Sequence, residues 1–384
     1  MRILISCLQS EKKYPITAFA YWRTYFLEGC EEAGIECVEV PGVDWVEGIV
    51  RPPGRELDLW RAHTWQVTLD FVRREHSKKP FDFFLSYFYP QQVNSHGVRE
   101  LQRMGIPCVN FFCDNFRMFR RMPEEFRVFD LNWVPEYQSV GLYRDAGVKY
   151  IHAAMPCWIP PEQRISDHAE TMGVTFVGSP DDLRLRLIGE AIDAGVEIDI
   201  YGMGWKGEFA PALSPTKTTS QLIKNQWLDI RRFGVRSWLL KLDKRLSPFP
   251  PPPEIPPERL LGKLSAEDLI QVMQQSTITL GINRVTTPYH SHRSVVTYSR
   301  LRDIEAPMMG ACYLTEWAED LEKLYDLGTD LETYRSVDEM KGKLEMLLAD
   351  KDKRRAMRQK GQARALNDHS VERTLKRISK LLAG

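Results

Sequence analysis

The sequence predicts an α/β protein in which two domains each contain a parallel β-sheet. Its 384 residues exceed one ordinary core and fit roughly two to three domains of about 100–200 residues. Short apolar runs alternate with amphipathic stretches of helical length, the pattern of βαβ units. The alternation stops at residues 156–171, a polar stretch with several prolines, and then restarts. We therefore predict two α/β domains joined by a linker.

Apolar periodicity places the elements of each half. The N-terminal strands are predicted at 3–6, 37–40, 83–87, 108–112, 131–134 and 150–154, with helices at 17–33, 57–78, 93–104 and 137–146. The C-terminal strands are predicted at 174–177, 198–201, 278–281 and 312–315, with helices at 182–194, 266–274, 296–309 and 370–382. Ligands of open parallel sheets bind outside the carboxyl ends of the strands, so polar residues that follow strands are the site candidates.

An insertion, residues 206–259, interrupts the second alternation. Within it, segment 221–246 has seven Lys/Arg and two Asp/Glu, a net charge of +5, and apolar residues at roughly helical spacing. A proline-rich run follows and is predicted to form a polyproline-type spacer. The basic segment has three interpretations, which are a helix on an anionic membrane, a dimer helix and a lid over the site.

Composition excludes several classes of function. The formal net charge is +0, so no global field attracts nucleic acid. No apolar run approaches the roughly 18 residues of a transmembrane helix, and the first residues are too polar for a signal peptide. The seven cysteines are scattered without a CxxC pair, so neither a disulfide framework nor a zinc site is predicted. We expect a cytoplasmic protein.

Two glycine-containing turns follow predicted strands. In VTFVGSPDDLRLRL, Gly178 and Ser179 precede a helix that contains Arg184. Small residues let a backbone approach a phosphate, helix N-termini favour anions and arginine binds phosphate bidentately. In DIYGMGW, Gly202 and Gly204 follow the next strand and permit close approach of a ligand. An ordinary turn is the alternative explanation at both places.

A third group of donors follows the strand in LGINRVTTPYHSHRS. Asn283 and Arg284 end that strand, and His292 and Arg293 lie in the polar loop beyond it. Such a density of donors suits an anion, although a solvated loop also explains it. The two histidines have no carboxylate or third ligand nearby, so no metal site is predicted.

The stretch RDIEAPMMGACYLTE sets charged residues against an apolar helix. Glu305 in the first turn of a helix would interact well with the helix dipole, and Arg302 precedes it by three residues. A carboxylate in this position can also accept two hydrogen bonds from ribose hydroxyls.

The order of these pieces resembles a known family. Residues 172–382 are similar to GT-B glycosyltransferases, the glycosyl transferases group 1 family with its spore-maturation CgeB-like members. The matching pieces are FVGS with Arg184, IYGMGW, LGINR, RDIEAPMMGACYLTE, YRSVDEMKGKLEMLLAD and the helix around Gly361. The resemblance implies that Glu305 binds the donor ribose and that Arg184 binds its diphosphate.

The resemblance also implies the architecture and the activity. Two Rossmann-like domains would face each other across a cleft, with an acceptor domain at 1–155, the linker at 156–171, a donor domain at 172–368 and a helix at 369–384 that packs back on the first domain. The protein would transfer a sugar from a UDP, GDP or dTDP donor to a hydroxyl of a glycan, lipid or protein. It would need no cofactor and no metal.

Three features depart from the family pattern. Thr297 replaces a second glutamate found near the donor sugar in many retaining relatives. The loop after the first strand, residues 7–11, has no glycine, and the insertion 206–259 is longer than expected.

The candidate base follows a strand in FFCDNFRMF. Asp114 would deprotonate the acceptor hydroxyl, and an Asx turn or a helix cap is its structural alternative. His96 and Glu136 are rival bases. Two other functions remain open from sequence, a nucleotide-sugar-binding protein without catalysis and a nucleotide-sugar epimerase.

Overall fold

The computed structural model describes residues 1–12, 14, 18–206, 234–247, 250–291 and 293–384. Two compact units divide the chain. Unit 1 consists of Met1–Asn115, Arg121–Trp158 and Leu366–Gly384, and unit 2 consists of Phe116–Arg120 and Ile159–Ala365.

A parallel sheet forms the centre of unit 1. Within the described residues its six strands are β1 (Arg2–Ser6), β2 (Glu36–Glu39), β3 (Phe83–Ser86), β4 (Cys108–Phe111), β5 (Leu131–Val134) and β6 (Tyr150–His152), in the order β2-β1-β3-β4-β5-β6. The helices are α1 (Ala18–Glu32), α2 (Glu47–Val50), α3 (Arg55–Lys78), α4 (Ser95–Arg103), α6 (Tyr137–Asp145) and, from the chain end, α14 (Val371–Ala383). The short helix α5 (Asn115–Met118) follows β4, and all of it except Asn115 belongs to unit 2. The four residues of β3, β4 and β5 are all buried, as expected for a parallel sheet covered by helices on both faces.

Unit 2 has a second parallel sheet. Its strands within the described residues are β7 (Met172–Val177), β8 (Asp199–Tyr201), β9 (Leu260–Gly262), β10 (Ser276–Gly281), β13 (Tyr313–Glu316) and β14 (Glu332–Tyr334), in the order β14-β13-β10-β7-β8-β9. A hairpin of β11 (Arg284–Val285) and β12 (Val296–Thr297) stands apart from it. The helices are α7 (Asp182–Asp193), α8 (234–246), α9 (Ala266–Gln275), α10 (Arg302–Met308), α11 (Leu321–Leu324), α12 (Val337–Ala349) and α13 (Lys351–Asp368).

The predicted fold class, an α/β protein with two parallel sheets, is confirmed. One predicted element is wrong in its first half, because the helix expected at 296–309 begins only at Arg302. Residues Val296 and Thr297 pair instead with the strand that starts at Arg284. Both are β-branched, which favours an extended conformation.

The proline-rich run of the insertion packs against α7 in unit 2. Arg186 donates a hydrogen bond to the carbonyl of Pro250, and a Cβ added at Gly189 would lie 2.7 Å from Pro253. Pro250 and Pro253 are therefore held on unit 2, and the polyproline conformation of the run stays a prediction. None of the described helices combines the length and the apolar character that crossing a bilayer requires.

Candidate active site

The predicted donor-site residues of unit 2 follow the carboxyl ends of neighbouring parallel strands. Strands β7, β10 and β13 are paired in register, so the residues after Val177, Gly281 and Glu316 emerge at one edge of the sheet. Helix α10 leads into β13 and therefore begins at that same edge. This edge is where open α/β sheets bind their ligands.

Arg184 is positioned by the turn between β7 and α7. Asp181 caps α7 by accepting hydrogen bonds from the backbone N–H groups of Leu183 and Arg184, both at 3.0 Å. The guanidinium of Arg184 donates to the carbonyl of Ser179 at 2.8 Å and lies 5.9 Å from the ring centroid of Phe176. Because Asp181 already occupies these helix N–H groups, an anion at this turn would be bound by the arginine rather than by the helix end.

Gly178 and Gly202 hold two loops against each other. A Cβ added at Gly202 would lie 2.1 Å from the carbonyl oxygen of Gly178, and Gly202 has φ +149. Beyond Gly204, the indole of Trp205 donates to that same carbonyl at 2.7 Å. The first glycine of the DIYGMGW motif is therefore required by packing, which brings the β7 and β8 loops together beside Arg184.

A cluster of three arginines lies at this edge. Burial, the positive charge of Arg300 and then that of Arg302 lower the pKa of Arg184 to about 10, against an opposing effect of Asp181. The Arg184 side chain is only 14% exposed. A bound anion would offset the repulsion among these guanidinium groups, which is the electrostatic requirement of a phosphate site.

Glu305 of α10 pairs with one of these arginines, Arg302. Its carboxylate lies 2.9 Å from the guanidinium of Arg302 and is buried. The structure therefore brings Arg184 near Arg302, which pairs with Glu305, although Arg184 is more than a hundred residues from both in sequence.

The neighbouring carboxylate of α10, Asp303, has a different surrounding. It accepts hydrogen bonds from the hydroxyls of Tyr313 at 2.8 Å and Thr315 at 2.9 Å, and from the backbone N–H of Arg300 at 3.0 Å. Burial raises its pKa, while these hydrogen bonds oppose the increase. Asp303 therefore fixes the first turn of α10 to β13.

Asn283 and Arg284 are bound to the end of the neighbouring strand. The carboxylate of Glu316 accepts from the guanidinium of Arg284 at 2.6 and 2.9 Å, and from the backbone N–H groups of both residues. The Asn283 amide donates to the carbonyl of Glu316 at 2.8 Å and to the hydroxyl of Thr315 at 3.2 Å. These two residues lie at the predicted edge, but their donors brace β10 against β13.

Of the two residues predicted as ligand donors in the loop after β11, one lies within the described residues and one does not. Arg293 is exposed and donates to the hydroxyl of Ser247 at 2.6 Å, which ties the loop to the end of α8. The predicted donor His292 lies outside the described residues. His290 stacks on Phe116, with ring centroids 5.9 Å apart, and Phe116 belongs to the short segment 116–120 of unit 2.

Unit 1 contains the three candidate bases. Asp114 follows β4 and is half-buried, and its charge raises the pKa of the Cys113 thiol after the larger effect of burial. Glu136 follows β5 and is fully buried, accepting a hydrogen bond from the Asn115 amide at 2.9 Å. The side chain of His96 is 76% exposed on α4. Of the three, Asp114 is the one with intermediate burial, between the buried Glu136 and the exposed His96.

Two residues of this arrangement were not predicted from the sequence. Arg300 precedes the predicted Arg302 by two positions, and its signal was the repeated arginine before the helix start. Glu316 directly ends β13, and its signal was a carboxylate after the strand beside Arg284. Among the described residues, no three His, Cys, Asp or Glu side chains lie together as a metal site would require.

Comparisons with known proteins agree on one family and one fold. The family described as glycosyl transferase-like matches residues 184–380. None of the curated proteins compared with the chain matches it. Among solved structures, sucrose-phosphate synthase of Thermosynechococcus elongatus is 12% identical with a TM-score of 0.55, and the alignment covers 100% of this chain and 98% of that one.

Two further solved structures have similar values. Alr3699/HepE of Anabaena in complex with UDP is 12% identical with a TM-score of 0.53, covering 100% of this chain and 99% of that one. AviGT4, a glycosyltransferase involved in avilamycin A biosynthesis, is 14% identical with a TM-score of 0.53, covering 100% and 98%. At identities this low, the three similarities establish a shared fold and nothing more.

Proposed function

The chain belongs to the glycosyl transferase-like family, and from that premise we propose that it transfers a sugar from a nucleoside diphosphate donor bound at the carboxyl edge of the unit 2 sheet. The predicted glycosyltransferase family and GT-B fold are thereby confirmed. The narrower CgeB-like assignment stays a prediction.

One observation carries the proposal, the crowding of three arginines beside a buried carboxylate. Burial, and then the positive charges of Arg300 and Arg302, lower the pKa of Arg184, and a diphosphate offers the negative charge that would offset the repulsion from those two arginines. Glu305 is the matching group for the ribose, because a carboxylate accepts hydrogen bonds from two adjacent hydroxyls. Phosphate and ribose are the two parts that all nucleotide donors share.

In the proposed reaction an acceptor oxygen attacks the anomeric carbon of the donor sugar. The bond from that carbon to the diphosphate breaks, and its electron pair leaves with the phosphate oxygen. Arg184, Arg300 and Arg302 stabilise the charge that develops on the leaving group. Unit 1 supplies the acceptor site, and Asp114 takes the proton of the acceptor hydroxyl.

The finer parts of the proposal concern the donor and the metal. UDP is the first donor nucleotide to test, because Alr3699/HepE was solved with UDP and with UDP-glucose. We propose that the arginine cluster replaces a metal ion at the diphosphate.

The donor is tested by thermal unfolding of the full chain with UDP, GDP, dTDP and CDP. A ligand that binds only the folded protein raises its apparent stability by mass action. We expect one nucleotide to stand out, and Glu305→Gln to weaken its binding roughly 10- to 100-fold, the equivalent of hydrogen bonds to a charged group. The control is Glu345→Gln, which changes an exposed glutamate on α12.

Two results distinguish a site from a structural role. If Glu305→Gln loses the nucleotide effect while unfolding at the wild-type temperature without ligand, Glu305 is a binding residue. If the unliganded variant is itself strongly destabilised, Glu305 is structural and its proposed contact with ribose is wrong.

The base is tested by Asp114→Asn and Glu136→Gln, with transfer and donor binding measured in parallel. Loss of the general base typically costs about 10²- to 10⁴-fold in rate, so Asp114→Asn should reduce transfer by this factor and leave the nucleotide Kd unchanged. Full turnover of Asp114→Asn would remove it from the mechanism. A loss confined to Glu136→Gln, with the fold intact, would assign the role to that residue.

Two other functions predict different products. A binding protein without catalysis would show the nucleotide effect and release no nucleotide from any acceptor. An epimerase would convert the donor sugar in the absence of an acceptor. Product analysis with and without acceptor separates both from transfer.

A further inference from the structure

Helix α8 exposes an apolar stripe on the surface of unit 2. Val235, Leu239, Leu242 and Leu246 are 61%, 52%, 36% and 76% exposed. They are four, three and four positions apart, so they lie on one face of the helix. Ser237, by contrast, is 3% exposed on the opposite face. A helix normally buries its apolar stripe against the core, and here the stripe faces outward.

The opposite side of α8 and the chain beyond it are fastened to unit 2. The ammonium of Lys244 lies 2.9 Å from the Asp182 carboxylate, and Ser247 accepts from Arg293. The proline run that follows is held on α7 through Pro250 and Pro253. These contacts set the orientation of the helix on unit 2, with its apolar stripe on the side away from Asp182.

Basic side chains flank the stripe. Residues 234–247 carry four Lys/Arg and one acidic residue, Asp243. By helical geometry Arg236 lies on one side of the stripe and Lys241 and Arg245 lie on the other, whereas Lys244 is on the opposite face of the helix. The whole chain has a formal net charge of +0, so this excess is local. An apolar face bordered by lysine and arginine is the pattern of helices that lie in the interface of an anionic bilayer. The two other interpretations, a lid over the site and a contact with a second copy of this chain, do not explain why cations lie on both sides of the stripe.

We propose that α8 docks the protein onto an anionic lipid surface. The four apolar side chains enter the headgroup boundary, and the basic side chains beside them contact lipid phosphates. Segment 221–246 had a membrane contact as one of its three interpretations. The described part of it, residues 234–246, favours this interpretation, whereas residues 221–233 lie outside the described residues. The proposal does not depend on the sugar-transfer reaction.

The test is flotation of the full chain with vesicles, in the absence of any sugar donor. Vesicles of phosphatidylcholine alone are compared with an equimolar mixture of phosphatidylcholine and phosphatidylglycerol. We expect binding to the anionic vesicles only. Removing two charges with Arg236→Gln and Arg245→Gln should weaken it about 30-fold, because each basic residue near such a surface is worth about fivefold.

The apolar part is tested by Leu239→Ser with Leu246→Ser. The matched control is Leu59→Ser with Leu348→Ser, two leucines that are 59% and 49% exposed on α3 and α12. The stripe variant should lose vesicle binding, and the control should keep it. All four substitutions are on exposed positions, and the unfolding temperature of each variant verifies that it is folded.

Three outcomes overturn the proposal. One is no binding to either vesicle, and another is binding that the stripe and charge variants leave unchanged. The third is a wild-type dimer in solution that the stripe variant converts to a monomer, which would assign the stripe to contact between copies. Nucleotide binding is measured separately, so failure of the docking proposal leaves the donor proposal untouched.

Discussion

At the residue scale, two carboxylates in one turn of α10 have different tasks. Asp303 is enclosed by two hydroxyls and a backbone N–H, which satisfy a buried charge and fix the helix to β13. Glu305 contacts Arg302, in the arginine cluster, and is the group proposed to bind a ligand. The sequence showed both residues beside an apolar run but contained no signal that separated their roles.

Arg184 is predicted to bind the diphosphate and not the nucleoside. Arg184→Gln should weaken UDP binding roughly 10- to 100-fold, because it removes charged hydrogen bonds, and should leave uridine binding unchanged. Glu305→Gln should weaken both ligands alike. Isothermal titration with UDP and with uridine, using the nucleotide found in the thermal screen if it is not UDP, measures the difference.

Arg186→Gln is the matched control, because this arginine lies on the same helix and bonds the carbonyl of Pro250. It should bind UDP like the wild type. Equal losses of UDP affinity in the two variants would show that UDP binding depends only on the total positive charge of α7. The proposed contact between Arg184 and the diphosphate would then be wrong.

At the element scale, the loops after β7 and β8 form one packed unit. The indole of Trp205 and the backbone of Gly202 both contact the Gly178 carbonyl, which fixes the turn that presents Arg184. A glycine after a strand was interpreted from sequence as room for a ligand. In the structure the space beside Gly202 is filled by the carbonyl of Gly178 in the neighbouring loop, so the glycine is needed for packing between the two loops.

Gly202→Ala should therefore destabilise the protein. A Cβ there would lie 2.1 Å from a backbone oxygen, and φ +149 is unfavourable for any side chain. We expect a loss above about 2 kcal/mol in the free energy of unfolding, from steric overlap and backbone strain together. Chemical denaturation measures it.

Gly173→Ala provides the comparison, since this glycine of β7 has open space around its Cβ position and no positive φ. It should change the free energy of unfolding by no more than about 0.5 kcal/mol. A Gly202→Ala variant as stable as this one would contradict the packing account.

At the scale of the whole molecule, the chain crosses between its units more than once. Residues 116–120 cluster with unit 2 although unit 1 surrounds them in sequence, and the last residues, Leu366–Gly384, cluster with unit 1. In unit 1, α14 packs on α1, where a Cβ added at Gly29 would lie 2.8 Å from Val371. Unit 1 is thus completed by the end of the chain.

Leu375→Ala should destabilise unit 1. Leu375 is completely buried on α14, and removing such a side chain costs about 2–5 kcal/mol. Denaturant unfolding followed by tryptophan fluorescence should show a lower midpoint. Leu381→Ala changes a half-exposed leucine of the same helix and should leave the midpoint in place. A midpoint that neither variant moves would mean that α14 contributes little to the unit.

Much of the fold was accessible from sequence because its signals are local. Strands such as β3 and β4 are buried along their whole length, and a buried parallel strand is largely apolar. Their two polar residues, Ser86 and Asn110, are hydrogen-bonded to each other. Strand ends are likewise local features, so Asn283 after β10 and Arg184 in the helix after β7 could be placed at the carboxyl edge of the sheet from sequence. The proposed roles of these residues remain predictions.

Only the tertiary structure decided which of these residues meet. Asn283 and Arg284 were predicted as ligand donors, yet Glu316 accepts from both, and Arg300 was overlooked although its charge acts on Arg184. The residue types and their positions after strands are fixed by the chain alone. Which charge neutralises which depends on distances between residues far apart in sequence, and folding alone sets those distances.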